Sequence, residues 1–198
     1  MRTYLINEIF YSLQGEGVRT GSANVFVRFA RCNQQCTVAS HGFDCDTDFQ
    51  EGQRMTIPQI VERCRQLAPQ CHWIVLTGGE PALQVDRPFI DGLHEAGYKL
   101  AIETNGTVAL PDGLDWITVS PKTENENIRQ RRADEVKYVR AQGQPIPDNV
   151  IEADHWLISP AFEGDRLCPE TLAWCIELVK RQPRWRLSVQ MHKLWRIP

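Results

Sequence analysis

The sequence lacks any apolar run long enough to span a bilayer, and residues 1–9 contain no apolar core of the kind that directs export. Membrane insertion and secretion are not expected, and the chain is read as cytoplasmic. It also lacks a dense basic stretch: Arg129, Arg131 and Arg132 are the nearest approach, and the net charge is −3. A nucleic-acid partner needs a basic face against its phosphates, so none is expected. No repeat, low-complexity tract or linker divides the 198 residues. One domain over 1–198 is therefore expected, long enough to bury a core without cross-links. The seven cysteines are an odd set, and in a reducing compartment they point to metal binding or catalysis rather than disulfides.

What is present is an alternation of strand-like and helix-like segments. Apolar runs at 25–30, 73–76, 100–102, 116–119, 135–139, 156–158 and 186–189 predict strands. Residues 57–67 predict a helix capped by Thr56, with Pro58 in its first turn and Ile60, Val61, Cys64 and Leu67 on one stripe. Residues 87–96, stopped by Gly97, and 169–181, striped by Leu172, Ile176 and Val179, predict two more. This order argues an α/β fold with a parallel sheet. Between 116 and 158 the helix signal fades, so the winding is expected to be incomplete there. Nearly every predicted strand runs into polar or special residues, as in Thr77-Gly78-Gly79-Glu80-Pro81 and Ser120-Pro121-Lys122. A shared site at the C-terminal strand ends is the expectation.

Cys32, Cys36 and Cys45 fall within fourteen residues, directly after the first predicted strand. Three thiolates are one short of the usual four for a cubane iron–sulfur cluster, which leaves one iron able to take another ligand. A zinc site with His41 as fourth ligand fits the same spacing. Cys64 and Cys175 sit in predicted helices and Cys71 and Cys168 at element edges, so these four are read as structural. Glycines at 78 and 79 let a ligand approach the backbone, or form an ordinary tight turn. Gln14-Gly15-Glu16-Gly17 reads equally as a turn. Arg28 lies mid-strand on the face of Phe26 and Ala30, and needs an anionic partner: a protein carboxylate such as Glu16, or a ligand carboxylate.

Taken together, these residues resemble the radical S-adenosylmethionine superfamily and, within it, the 7-carboxy-7-deazaguanine synthases of the queuosine (7-deazapurine) pathway. The resemblance rests on Leu13-Gln14-Gly15-Glu16-Gly17, the strand from Arg28 to Cys32, Cys45-Asp46-Thr47, Thr77-Gly78-Gly79-Glu80-Pro81, Glu103-Thr104-Asn105-Gly106, Ser120-Pro121-Lys122 and Gln190-Met191-His192-Lys193. It implies an abbreviated, open TIM-like β/α barrel and a homodimer. It also implies a [4Fe-4S] cluster on Cys32, Cys36 and Cys45, and S-adenosyl-L-methionine held by Gly79, Ser120, Pro121 and Lys122. Thr47 matches the Mg²⁺ position. Leu13, Gln14, Gly15, Arg28, Thr77 and His192 match positions that hold a pterin substrate, with the carboxylate of Pro198 completing the pocket. The implied reaction turns 6-carboxy-5,6,7,8-tetrahydropterin into 7-carboxy-7-deazaguanine. The cofactor is cleaved to a 5′-deoxyadenosyl radical that takes hydrogen from C6, and ammonia is lost. A flavodoxin or ferredoxin would supply the electron.

Three positions depart from the family pattern. Eight residues separate Cys36 from Cys45, so Gly42 stands where a cysteine would be expected; Cys36 is read as the second ligand, with His41 as its alternative. Ser159 and Met191 replace a usual Gln and Thr. Two other readings compete with the synthase. A glycyl-radical activase of the same superfamily would consume S-adenosylmethionine without pterin turnover. A zinc-stabilised binding module would carry zinc and no iron.

Overall fold

The computed structural model describes residues 2–45 and 50–198. Eleven strands are present among them: β1 (Tyr4–Leu13), β2 (Ala23–Phe29), β3 (Gln53–Met55), β4 (Trp73–Gly78), β5 (Lys99–Thr104), β6 (Trp116–Val119), β7 (Arg132–Arg140), β8 (Glu152–Pro160), β9 (Phe162–Glu163), β10 (Arg166–Leu167) and β11 (Trp185–Leu187). Five helices accompany them: α1 (Val38–His41), α2 (Ile57–Leu67), α3 (Arg87–Glu95), α4 (Pro169–Arg181) and α5 (Met191–Trp195). No helix of the described residues is long and apolar enough to cross a membrane.

Nine strands form one open sheet in the order β11-β8-β7-β6-β5-β4-β2-β1-β3. From β2 to β11 every neighbouring pair is parallel. β1 and β3 add an antiparallel edge, and β9 and β10 form a separate two-residue hairpin. The seven sequence-predicted strands are the seven parallel ones. The last is shifted, ending at Leu187 rather than 189. Helix placement follows local chemistry. Thr56 receives the Gln59 side chain at its backbone N–H (2.8 Å), and Asp86 caps α3 by accepting from the Phe89 N–H (3.0 Å). Gly97, with φ +90°, stops the chain after α3. No α-helix is assigned between β5 and β8, so the winding is incomplete where the helix signal fades.

Strand alternation gives the sheet two unlike faces. Val25, Val27, Phe29, Ile74, Leu76, Leu100 and Ile102 pack on Ile60, Cys64, Phe89, Ile90 and Leu93 of α2 and α3. Phe89 meets Tyr4 and Phe29 edge-on, with ring centroids 4.6 and 5.6 Å apart. A second core joins Val119, Val136, Tyr138 and Ile158 to Cys175 of α4 and to Trp185. The opposite face is apolar only in a small layer of Phe26, Val75 and Ala101, with Phe10, Trp73 and Trp116 against it. Further along the same strands that face becomes polar, with Arg28 beside Thr77 and Glu103 beside Thr118 in register.

Candidate active site

A cavity of about 1020 Å³ opens over this polar face at the C-terminal ends of the parallel strands. Cys32, Cys36 and Cys45 line one side of it, Gly79, Ser120 and Lys122 another, and Leu13, Gln14, Gly15, Arg28, Thr77, His192 and Pro198 the remainder. Pro121 is buried beside them. Thr47, the expected Mg²⁺ position, lies outside the described residues.

Arg31 turns the chain from β2 into the cysteine segment with φ +74°, a left-handed conformation that a residue with a side chain holds only under tertiary constraint. The constraint comes from the next strand's end: the N–H of Gly79 donates to the Phe29 carbonyl (2.9 Å) and that of Glu80 to the Arg31 carbonyl (2.8 Å). The two glycines serve this junction, and both line the cavity. Gly78 has φ +110°, and a Cβ on Gly79 would stand 2.0 Å from the Arg31 carbonyl oxygen. Glu80 then fastens the neighbouring strand. Its carboxylate accepts from Thr104 Oγ1 (2.6 Å), the Asn105 N–H (2.7 Å) and the Ala82 N–H (3.0 Å). Burial raises its pKa, while these bonds and Lys122 oppose the rise. Asn105 Nδ2 donates to Asn33 (3.0 Å), tying β5 back to the cysteine segment.

The thiols differ in environment. Burial raises the Cys32 pKa, opposed by the Gln34 N–H, which donates to its sulfur (3.4 Å). The Cys45 N–H donates to the Cys36 carbonyl (3.1 Å), which closes the eight-residue gap into a loop. Inside it Thr37 caps the short helix α1, and Gly42 ends that helix with φ +82°. None of the seven cysteines forms a disulfide. Cys64 and Cys175 are buried under α2 and α4, and burial pushes their thiols up to about 12 and 11. They stay protonated and away from the cavity.

At the other end lies a buried charge cluster. Lys137 pairs with Glu16 and stands 3.5 Å from Glu103. Gln190 Nε2 donates to Glu16 (2.7 Å) and Gln14 Nε2 to Glu103 (2.7 Å). Burial would raise Glu16, but the Lys137 charge and these hydrogen bonds outweigh it and hold the carboxyl at about 2. Burial would lower Lys137, but Glu103 and Glu16 raise it further. Glu135 anchors the β1–β2 turn by accepting from the Val18 N–H (2.8 Å) and Thr118 Oγ1 (2.8 Å). Arg28 pairs with a protein carboxylate, Glu8 (2.7 Å), which faces it across β1 and β2; Glu16 is held by Lys137.

The donor set on the cysteine side fits an iron–sulfur cluster. Three thiols line the same cavity. His41, the fourth ligand that a zinc site would need, has both ring nitrogens engaged, with Ser40 Oγ (2.7 Å) and the Lys122 carbonyl (2.7 Å).

No family model matches the sequence. Curated relatives do. A 7-carboxy-7-deazaguanine synthase of Bacteroides thetaiotaomicron is 44% identical over 190 residues, covering 96% of each chain. Those of Bradyrhizobium diazoefficiens and Nitratidesulfovibrio vulgaris are 41% and 40% identical, covering 96% and 99% of this chain and 97% and 100% of theirs. The chain belongs to the 7-carboxy-7-deazaguanine synthase family. The crystal structure of QueE from Escherichia coli shares the fold, with a TM-score of 0.75 over 96% of this chain and 95% of that one, at 24% identity.

Set within the synthase family, the departures from its pattern are local. Ser159 is buried in β8, and the Met191 N–H donates to the Gly15 carbonyl (2.8 Å). Sequence reasoning gave no site role to Lys137 or Glu103, which line the cavity, or to Glu135, which anchors the turn beside it. Period-2 alternation in 135–139 was the available signal, since it puts Glu135 and Lys137 on one face of an otherwise apolar strand.

Proposed function

We propose that this chain converts 6-carboxy-5,6,7,8-tetrahydropterin into 7-carboxy-7-deazaguanine with loss of ammonia. It would act as a radical S-adenosylmethionine lyase of queuosine and 7-deazapurine biosynthesis. The observation that carries this reading is the meeting of three cysteines and the polar ends of five parallel strands in one cavity, in a chain of that family.

In this reading Cys32, Cys36 and Cys45 hold a [4Fe-4S] cluster, and Gly79, Ser120, Pro121 and Lys122 hold S-adenosyl-L-methionine. Bound together, these groups supply one-electron chemistry able to take hydrogen from carbon. The protein supplies position and charge. Leu13, Gln14, Gly15, Arg28, Thr77, His192 and Pro198 surround the pterin. The stacked rings of Phe10 and Phe26, 5.0 Å apart, give it an apolar floor. Glu16 and Glu103 are acceptors for the N–H groups of its pyrimidine edge, and Lys137 holds the Glu16 carboxyl ionised. Arg28 meets a carboxylate or the ring edge. Ser12 Oγ donates to the Pro198 backbone oxygen (2.8 Å), which holds the tail at the cavity. Thr47 would hold Mg²⁺ against the substrate carboxylate. A flavodoxin or ferredoxin supplies the electron, and the working form is a cytoplasmic homodimer of one radical domain, 1–198, per chain.

The test is anaerobic reconstitution followed by incubation with the pterin, S-adenosylmethionine and a reductant. Release of 7-carboxy-7-deazaguanine is expected. A cluster-loaded sample that consumes S-adenosylmethionine but leaves the pterin untouched would instead support a radical activase.

A further inference from the structure

The eight residues between Cys36 and Cys45 form a built element that bears on one neighbour, the loop after β6. His41 Nε2 lies 2.7 Å from the Lys122 carbonyl oxygen. A carbonyl only accepts, so Nε2 carries the proton and donates. The other ring nitrogen is fixed by Ser40 Oγ (2.7 Å). Ser40 is itself held by Thr37, whose hydroxyl oxygen is 2.8 Å away. The ring is therefore oriented by its own helix before it reaches Lys122. Two residues on, the Phe43 ring lies 5.7 Å from the Lys122 ammonium. The insert thus touches Lys122 at its backbone and at its side-chain end. From behind, Gln144 Nε2 donates to the His41 carbonyl (3.3 Å), and the Trp174 ring N–H donates to the Gln144 carbonyl (2.9 Å). This leans the insert on the β7–β8 connection and α4.

We infer that the insert is a clasp between the cysteine loop and the Ser120–Lys122 loop, with His41 as the positioning residue that fixes the Lys122 backbone for S-adenosylmethionine. The clasp replaces a short cysteine spacing by a helical turn whose outer end grips the Ser120–Lys122 loop. It acts through Lys122 and does not touch the reacting atoms. The inference rests on the reading of Ser120–Lys122 as part of the cofactor site.

The test compares wild type, His41→Phe and His41→Gln after anaerobic reconstitution. Phenylalanine keeps a ring beside Phe43 and removes the donor; glutamine restores an N–H at about the reach of Nε2. Iron per chain and the dissociation constant for S-adenosylmethionine, by equilibrium dialysis, are the readouts. Iron should be equal in all three proteins. The dissociation constant should rise roughly 3- to 10-fold in His41→Phe, as expected for one lost hydrogen bond, and recover to within about twofold in His41→Gln. Wild-type affinity in His41→Phe overturns the inference, as does failure of His41→Gln to recover. Loss of iron from His41→Phe also overturns it, because the bond would then serve the cluster ligands instead. A wild-type protein that binds S-adenosylmethionine yet makes no 7-carboxy-7-deazaguanine defeats the proposed reaction without touching this result.

Discussion

Lys137 is the side chain on which the charge balance of the cavity turns. It is almost fully buried, with Glu16 and Glu103 beside it. Removing one partner from a buried pair leaves an uncompensated charge, at a cost of about 3–5 kcal/mol. Lys137→Met should lose about that much in urea unfolding at pH 7. The sign of the pH dependence follows from Glu16. Its carboxyl is held at about 2 against an ordinary 4.5. Its contribution is therefore complete above pH 4.5 and disappears as pH falls toward 2. Wild-type stability should decline through that window, and the decline should flatten in Lys137→Met; parallel curves would contradict the role given to the pair. The cysteines separate by the same reasoning. Cys64→Ala should retain cluster iron while losing roughly 1 kcal/mol of stability, since its buried thiol packs under α2 and is held protonated.

At the scale of elements, the site depends on backbone surfaces that admit no side chain. A Cβ on Gly15 would stand 2.2 Å from His192 Nδ1, so the β1–β2 turn and α5 touch through a missing methyl. Gly15→Ala should displace His192 and the tail, raising the KM for the pterin several-fold more than that for S-adenosylmethionine. An equal change in both would show that the turn acts on the whole cavity. The parallel strands were legible because each is an apolar run bounded by turn residues. β1 was not, because Asn7 and Glu8 interrupt its ten residues at the sheet's antiparallel edge, where one neighbour is only the three-residue β3. α1 and α5 span four and five residues, too short for periodicity to register. Thirteen proposed site residues were readable as positions in motifs, but Lys137 was hidden in a run that served equally well as a strand.

Across the whole molecule, one sheet does two jobs with its two faces. The face under α2, α3 and α4 is nearly all apolar and supplies the stability. The opposite face keeps an apolar floor and then turns polar toward the strand ends, where the cysteine loop, the glycine turn, Ser120–Lys122 and the tail converge. That convergence was not readable from the chain, because it depends on sheet order: β2 stands beside β4, which places Arg31 and Gly79 back to back. The central claim is that this convergence presents three sulfur ligands and leaves one iron for a substrate-like cofactor. Iron and sulfide analysis of anaerobically reconstituted wild type, Cys32→Ala, Cys36→Ala and Cys45→Ala tests it most directly. About four irons per wild-type chain, and close to none in each single variant, is the predicted result. Full iron in Cys36→Ala, or zinc in place of iron in the wild type, would contradict it.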